Sequence, residues 1–226
     1  MKQPLSDTKV VVILPYGRCE DVYIEDLGDV RAPKRYAFFK RLFDLVFSAT
    51  ALIVLALPIL IISLLVKLGS KGTVFYRQER LGLNGKKFNV IKFRTMDMNA
   101  EKDGCRWSDG DDDPRITSIG RFLRKTRLDE LPQFWCILKG EMSLVGPRPE
   151  RECFYNEFEK YIHGFSQRLK DKPGLTGLAQ VKGGYYLKPE EKIMYDIDYI
   201  KNRSLKLDMK LVFDTVKVVL KREGAK

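Results

Sequence analysis

Asp129 and Glu130 are adjacent carboxylates standing three and two residues ahead of Pro132, and they are where this chain most plainly offers chemistry. Proline is favoured in the first turn of a helix and not inside one, so a helix is expected to begin at Glu130 or Leu131. Both carboxylates then sit at its positive end, where exposed N–H groups and the helix dipole help to hold a phosphate. A carboxylate beside a bound phosphate can attack phosphorus and form an aspartyl phosphate-type intermediate. Two anions approach each other only with compensation, so the scheme calls for Mg²⁺ at Asp129 and Glu130 and for basic residues around them. The chain supplies Lys92 and Arg94, Arg124 and Arg127, and Arg148 between two prolines. A structural role fits the same spacing, and from spacing alone it is the commoner one. Acidic residues cap helices, and Thr126 three residues before Asp129 resembles a capping box.

Two turns present further cations. In Val145-Gly146-Pro147-Arg148-Pro149-Glu150 each proline removes backbone freedom, which fixes an arginine on a stiff turn. Lys172-Pro173-Gly174-Leu175-Thr176-Gly177 is a second rigid turn carrying a cation. Such turns suit phosphate or nucleotide recognition, and they also serve simply as connections. The single histidine, His163, excludes His-based triads and metal sites and reads as a surface or structural residue. Cys19, Cys105, Cys136 and Cys153 show no zinc-site or disulfide spacing, which points to a reducing compartment. The acidic cluster Asp109, Asp111, Asp112 and Asp113 lacks the spacing of a calcium loop and reads as solvated.

These residues need elements to hold them, and the clearest is a run of 22 uncharged residues, Leu45 to Val66. As a straight helix it is roughly 33 Å long, enough to cross a bilayer core. Pro58 lies inside it, and a proline there removes a hydrogen bond and predicts a bend near Ala56–Pro58. Lys34, Arg35, Lys40 and Arg41 precede the run, and Lys67 and Lys71 follow it. Lys and Arg mark cytoplasmic flanks, so a bent helix positive at both ends can enter and leave one leaflet. On these residues a span and a re-entrant anchor stand level. A buried core helix is disfavoured because the run is apolar on every side, and a signal peptide because some forty residues precede it.

After the first 44 residues the chain holds 33 Lys and Arg against 23 Asp and Glu, a net of +10. A basic domain beside an anchor suits anionic headgroups or phosphate-bearing substrates. Basic and aromatic residues are not interleaved as in a nucleic-acid module, so nucleic acid is not an expected partner. The expected organisation is a leader, residues 1–35, with a strand at Lys9–Leu14; a membrane helix, residues 36–70; and a catalytic domain, residues 71–226. Within that domain, Val74–Tyr76 and Lys87–Phe93 read as strands around a turn at Gly82–Gly85. Helices are expected at Ile116–Lys125, Leu131–Leu138, Glu150–Ile162 and Leu207–Leu220. Phe154, Tyr155, Phe158 and Tyr161 form one aromatic helical face, suited either to a core or to a membrane interface. The fold class is α/β, mainly α: a helix broken at Pro58 plus a compact domain with amphipathic interfacial helices and few short strands.

The stretch LDELPQFWCILKGEMSLVGPRPE, with KFRTM and DPRITSIGRFLRKT before it and KPGLTGLAQVKG after it, resembles bacterial sugar transferases. These are monotopic phosphoglycosyl transferases that start polyprenyl-linked glycan assembly. The resemblance runs from about Lys40 to about Lys221, including KRLFD and YDIDYIKNRSLKLDMKLVFDT. It implies an anchor that turns back at Pro58 to the cytoplasmic leaflet of a bacterial inner membrane. It further implies that Asp129 attacks the β-phosphate of a UDP-sugar, releases UMP and passes the phosphosugar to polyprenyl phosphate. Glu130 is then associated with Mg²⁺ and the second step, and Lys92 and Arg148 fall on basic positions that contact phosphates. Arg94 and Lys172 are further phosphate-binding candidates, and a homodimer is compatible. Three departures stand out: Leu57 where serine is frequent, Lys172 where the Pro-Gly turn usually follows arginine, and Lys182-Gly183-Gly184-Tyr185 in place of a Gly-Arg pair. The resemblance also implies the small catalytic-core form with an unusual leader. The competing class is a membrane-tethered basic scaffold without turnover.

Overall fold

The computed structural model describes residues 21–98, 100, 105, 113–183 and 187–221. The expected strand at Lys9–Leu14, the acidic residues 109, 111 and 112, and most of the 103–113 and 182–185 loops lie outside them. Helices dominate, as the sequence predicts. They are α1 (Lys34–Val54), α2 (Ala56–Gly69), α3 (Ser118–Thr126), α4 (Gln133–Lys139), α5 (Glu152–Phe158), α6 (Leu178–Lys182), α7 (Pro189–Asn202) and α8 (Leu205–Lys221). The strands are β1 (Val22–Tyr23), β2 (Phe75–Leu81), β3 (Lys87–Phe93), β4 (Ser143–Val145), β5 (Ile162–His163) and β6 (Gly174–Thr176). They pair in three two-stranded sheets: an antiparallel β2–β3 hairpin and parallel β1–β5 and β4–β6 pairs.

The hydrophobic run forms two helices bent by 62°. Among the described residues no single helix is long and apolar enough to cross a membrane; the bent pair together is. The break falls at Leu55, whose φ and ψ are −90° and 6°, one residue ahead of the expected bend. Pro58 has no N–H for the Val54 carbonyl and its ring crowds that carbonyl, so the helix must open there. Hydrogen bonds from Leu55 N to Ala51 O and from Ile59 N to Leu55 O, both 2.8 Å, secure the two sides. No serine is needed at Leu57, which is exposed.

Helix α1 is inside out. Tyr36, Lys40, Asp44 and Ser48 recur every four residues and are its buried positions, while Phe38, Phe39, Leu42 and Val46 are exposed. The buried stripe bolts the helix to the rest of the protein. Lys40 Nζ donates to Asp208 Oδ2 and Val145 O, both 2.9 Å, and to the Tyr199 hydroxyl at 3.1 Å. Asp44 Oδ1 accepts from Leu144 N at 2.9 Å and from the Ser143 hydroxyl at 3.2 Å. Arg41 donates to Ile137 O and Leu138 O, two carbonyls in the last turn of α4. Lys40 and Arg41 are therefore ties to the domain, not flanking charges for lipid. Lys34, Arg35, Lys67 and Lys71 remain exposed.

Residues after 21 pack onto the same body. β1 pairs with β5, Leu27 and Val30 pack against the main apolar cluster, and Lys170 Nζ bonds Asp26 Oδ1 at 2.8 Å. The α5 aromatics Phe154, Tyr155 and Phe158 are buried with Phe165 and Ile193, so that face packs a core. Two expectations are corrected. Cys105 and Cys153 are joined by a disulfide across 48 residues, a pairing no local spacing announces. Asp113 is fully buried, not solvated, and is ion-paired with Arg115 at 2.5 Å.

Candidate active site

Asp129 and Glu130 do not open a long helix. They form a single 3-10 turn, Leu128–Glu130, and α4 begins only at Gln133. The N–H groups of Glu130 and Leu131 are spent on Arg127 O and Leu128 O at 3.2 and 3.3 Å, so they are not phosphate donors. The capping box is absent too. The Thr126 hydroxyl turns back to Phe122 O at 2.8 Å, and no side chain caps the turn. The sharp exit from α3 comes instead from Arg127, a non-glycine residue at φ 56°. A left-handed residue of this kind is uncommon and costs roughly 1–3 kcal/mol, and such strain gathers at functional sites.

Positive charge therefore reaches the carboxylates through side chains. Period-two alternation puts Lys92 on the same face of β3 as the buried Phe88 and Val90, at the end nearer the 3-10 turn. Lys92 Nζ bonds Glu130 Oε1 at 2.8 Å and lies 4.0 Å from Asp129 Oδ2. Arg148 donates to the same Glu130 oxygen at 2.5 Å. Burial pushes the Glu130 carboxyl upward, but Arg148 and Lys92 outweigh it and hold it well below the usual carboxylate range. Burial pushes Asp129 up to about 6; Lys92, Arg124 and Arg148 oppose this, and the Glu130 charge reinforces it. Among the described residues the Asp129 carboxylate accepts no hydrogen bond. Two neighbouring carboxylates thus differ: one Glu130 oxygen, Oε1, is held by two cations, and Asp129 has only the Lys92 ammonium 4.0 Å away.

Both line a cavity of about 760 Å³ whose wall also includes Arg80, Lys92, Arg124, Arg148 and Lys192. That size lies within the range of small-molecule sites. The Arg148 turn is held from behind. Arg168 is buried, donates to Arg148 O at 2.9 Å and reaches Asp196 Oδ2 at 2.6 Å. Its glycines allow two strands to close up: Gly146 N bonds Thr176 O at 2.9 Å and Gly174 N bonds Pro147 O at 2.8 Å. A Cβ on Gly146 would stand 2.2 Å from Lys172 O.

Two expected phosphate ligands go elsewhere. Arg94 borders the cavity, but its guanidinium donates to Ser70 O and Ser70 Oγ at 2.8 Å and to Lys71 O at 2.5 Å. It caps the end of α2. Lys172 is not on the cavity wall; it lies with Arg41 beside Gly140, where burial and the Arg41 charge lower its pKa. Arg80 and Arg168, both on the wall, lie outside every motif singled out in the sequence, whereas Glu150 and Gln180, also on the wall, stand inside the quoted segments LVGPRPE and KPGLTGLAQVKG.

The chain is 38% identical over 212 residues to the UDP-N-acetylgalactosamine-undecaprenyl-phosphate N-acetylgalactosaminephosphotransferase of Aeromonas hydrophila. It is 40% identical over 236 residues to the UDP-galactose-lipid carrier transferase of Erwinia amylovora. It is 44% identical over 183 residues to the UDP-glucose:undecaprenyl-phosphate glucose-1-phosphate transferase of Klebsiella pneumoniae. These matches take in 92%, 98% and 79% of this chain, but only 50%, 48% and 39% of the relatives, so the chain spans about half their length or less. The Erwinia match includes most of residues 1–35, so the leader is not peculiar to this chain. The family model described as bacterial sugar transferase matches residues 35–222, a range holding the bent helix pair, the carboxylate turn and the arginine turn alike. With that coverage, the chain belongs to the bacterial sugar transferase family.

Proposed function

We propose that this protein transfers a phosphosugar from a UDP-sugar to polyprenyl phosphate in two displacements. In the first, an Asp129 oxygen attacks the β-phosphorus, the bond to the bridging oxygen breaks and UMP leaves with that oxygen. In the second, a phosphate oxygen of the lipid attacks the same phosphorus, the Asp129–phosphorus bond breaks and polyprenyl-diphosphate sugar departs from the restored carboxylate. The observation that carries this reading is the buried Asp129 carboxylate, which accepts no hydrogen bond among the described residues, beside a Glu130 whose Oε1 is held by Lys92 and Arg148. The names of the three relatives, each a sugar or sugar-phosphate transfer to a lipid carrier, support it.

Mg²⁺ suits the donors at hand: it takes hard oxygen ligands, often one or two carboxylates with substrate phosphates and waters. No group of three or more His, Cys, Asp or Glu side chains gathers among the described residues, so substrate oxygens would complete the shell. Asp129 and Glu130 would hold it, and it would offset the charge of the diphosphate. The inverted α1 and the bent α1–α2 pair support a re-entrant anchor in the cytoplasmic leaflet of a bacterial inner membrane, since a face of exposed Phe, Leu and Val is stable against lipid. A UMP-release screen across UDP-sugars with Mg²⁺, before any lipid is added, tests the reading. The expected result is UMP together with a phosphosugar adduct on Asp129 by intact mass; UMP formation without an adduct would remove the covalent step.

A further inference from the structure

We infer that a second, smaller cavity seats the first isoprene units of the polyprenyl phosphate acceptor and guides its phosphate to Asp129; the inference rests on the two-displacement reading above. The cavity measures about 190 Å³ and is walled by residues of α1, α4, α6 and α8. Its body is apolar, made by Leu131, Phe134, Leu144, Val181 and Val212. The two threonines on its wall are spent on each other. The Thr215 hydroxyl donates to Leu211 O at 2.6 Å and accepts from the Thr176 hydroxyl, also at 2.6 Å. The Gln180 amide is shut off from solvent and offers the cavity nothing.

This apolar space joins two places that the acceptor has to connect. Arg127, Glu130 and Gln180 are the described residues that border both it and the main cavity, so its charged end is the one beside the carboxylate turn. Its wall also runs out to the surface, because Phe47 and Val216, which border it, are 38% and 52% exposed. Phe47 lies in the uncharged run beside the exposed Val46, and its ring meets Phe134 with centroids 6.1 Å apart. An apolar surface therefore leads from the exposed face of α1, through α4, to the turn that carries Asp129.

The chemistry of this wall selects its occupant. A UDP-sugar brings hydroxyls and amide groups, which the wall would strip of water without replacing their hydrogen bonds. An isoprenoid chain has no hydrogen bonds to lose, and its burial is favourable. Arg127 places a positive charge at the junction, where the phosphate of such a molecule would lie. A bulk phospholipid also joins an anion to a tail, but only the acceptor has to reach Asp129. The cavity is smaller than the roughly 300–1,000 Å³ of sites that enclose a whole ligand, so it takes only the units nearest the phosphate. The rest of the chain stays in lipid.

The test uses the full chain in detergent and compares wild type with Val216→Trp, which sets an indole across the exposed rim. UMP release and the Asp129 adduct, both measured before lipid is added, should stay within about twofold of wild type. The KM for polyprenyl phosphate should rise at least about tenfold, as if two methylenes were left unburied. Val216→Asp, which puts an anion at the same rim, should also raise the lipid KM and serves if the tryptophan variant fails to fold. On wild type, an isoprenyl phosphate tailed with benzophenone should label, on irradiation, the peptide of α8 or that containing Phe47. Excess polyprenyl phosphate should suppress this label, and phosphatidylglycerol should not. An unchanged lipid KM in both variants, a label recovered elsewhere, or equal suppression by phosphatidylglycerol would overturn the assignment while leaving the transfer reading intact. If wild type forms neither UMP nor adduct with any UDP-sugar, the transfer reading falls, and this inference with it.

Discussion

Asp129 and Glu130 are chemically identical groups one residue apart, and their surroundings push them in opposite directions. Two cations on one Glu130 oxygen keep it ionised, whereas burial makes Asp129 reluctant to ionise. In the proposed reaction Asp129 acts only as the carboxylate, so UMP release should rise with pH through about 6 and flatten above it. Glu130, held well below its ordinary range, should add no second limb there. Lys92→Met removes the cation that most opposes protonation of Asp129, so the pH profile of kcat/KM should move upward; a profile that stays put would argue against the carboxylate as the titrating group. Asp129→Asn leaves the shape and removes the nucleophile, and UMP release should fall by about 10⁴-fold. Turnover near the wild-type level in that variant would place the nucleophile elsewhere.

At the scale of elements, the site depends on contacts that tolerate no added atoms or lost charges. Gly120 in α3 sits against Thr95, and a Cβ there would lie 2.0 Å from Thr95 O. Because backbone cannot move aside as a flexible side chain does, Gly120→Ala should destabilise the fold by roughly 1–3 kcal/mol, read from denaturant midpoints in detergent. Lys40 and Asp208 form a buried ion pair with side chains 11% and 4% exposed. Removing one partner leaves the other charge buried, so Lys40→Ala should cost about 3–5 kcal/mol. A loss below about 1 kcal/mol would mean that α1 is not bolted to the domain through this pair. Arg94 belongs to the same class: a cation in the cavity wall whose two terminal nitrogens bond the end of α2.

At the scale of the molecule, an inside-out α1 and a 62° break make one prediction about topology. Cysteines introduced at Lys34 and at Lys71, both exposed, should label from the same side of the membrane in intact cells. Labels on opposite sides would exclude the re-entrant anchor and leave a span. The bent helix pair and the carboxylate turn share one body, because the Lys40, Arg41 and Asp44 contacts run from α1 to β4, α4 and α8. With the proposed anchor, the position of Asp129 relative to lipid is set by this packing and not by a linker.

Much of this was legible in the residues themselves. The apolar run with a proline inside it dictates a bent hydrophobic helix, because a missing N–H and a crowded carbonyl act locally whatever surrounds them. The β2–β3 hairpin follows from alternation around a Gly-rich turn, and the carboxylate pair with its motifs marks the chemistry. Charge partners were not legible. Lys92, Arg94, Arg148 and Lys172 are equal as letters, and only the packing decides that two reach Glu130, one caps α2 and one lies beside Arg41. The same holds for Lys40 and Arg41, which flank an apolar run in sequence but face inward in space, and for Cys105 and Cys153, joined across 48 residues. Local backbone chemistry depends on neighbours along the chain and can be read from it; the fate of a long side chain depends on which groups arrive from elsewhere, and the tertiary structure alone decides that.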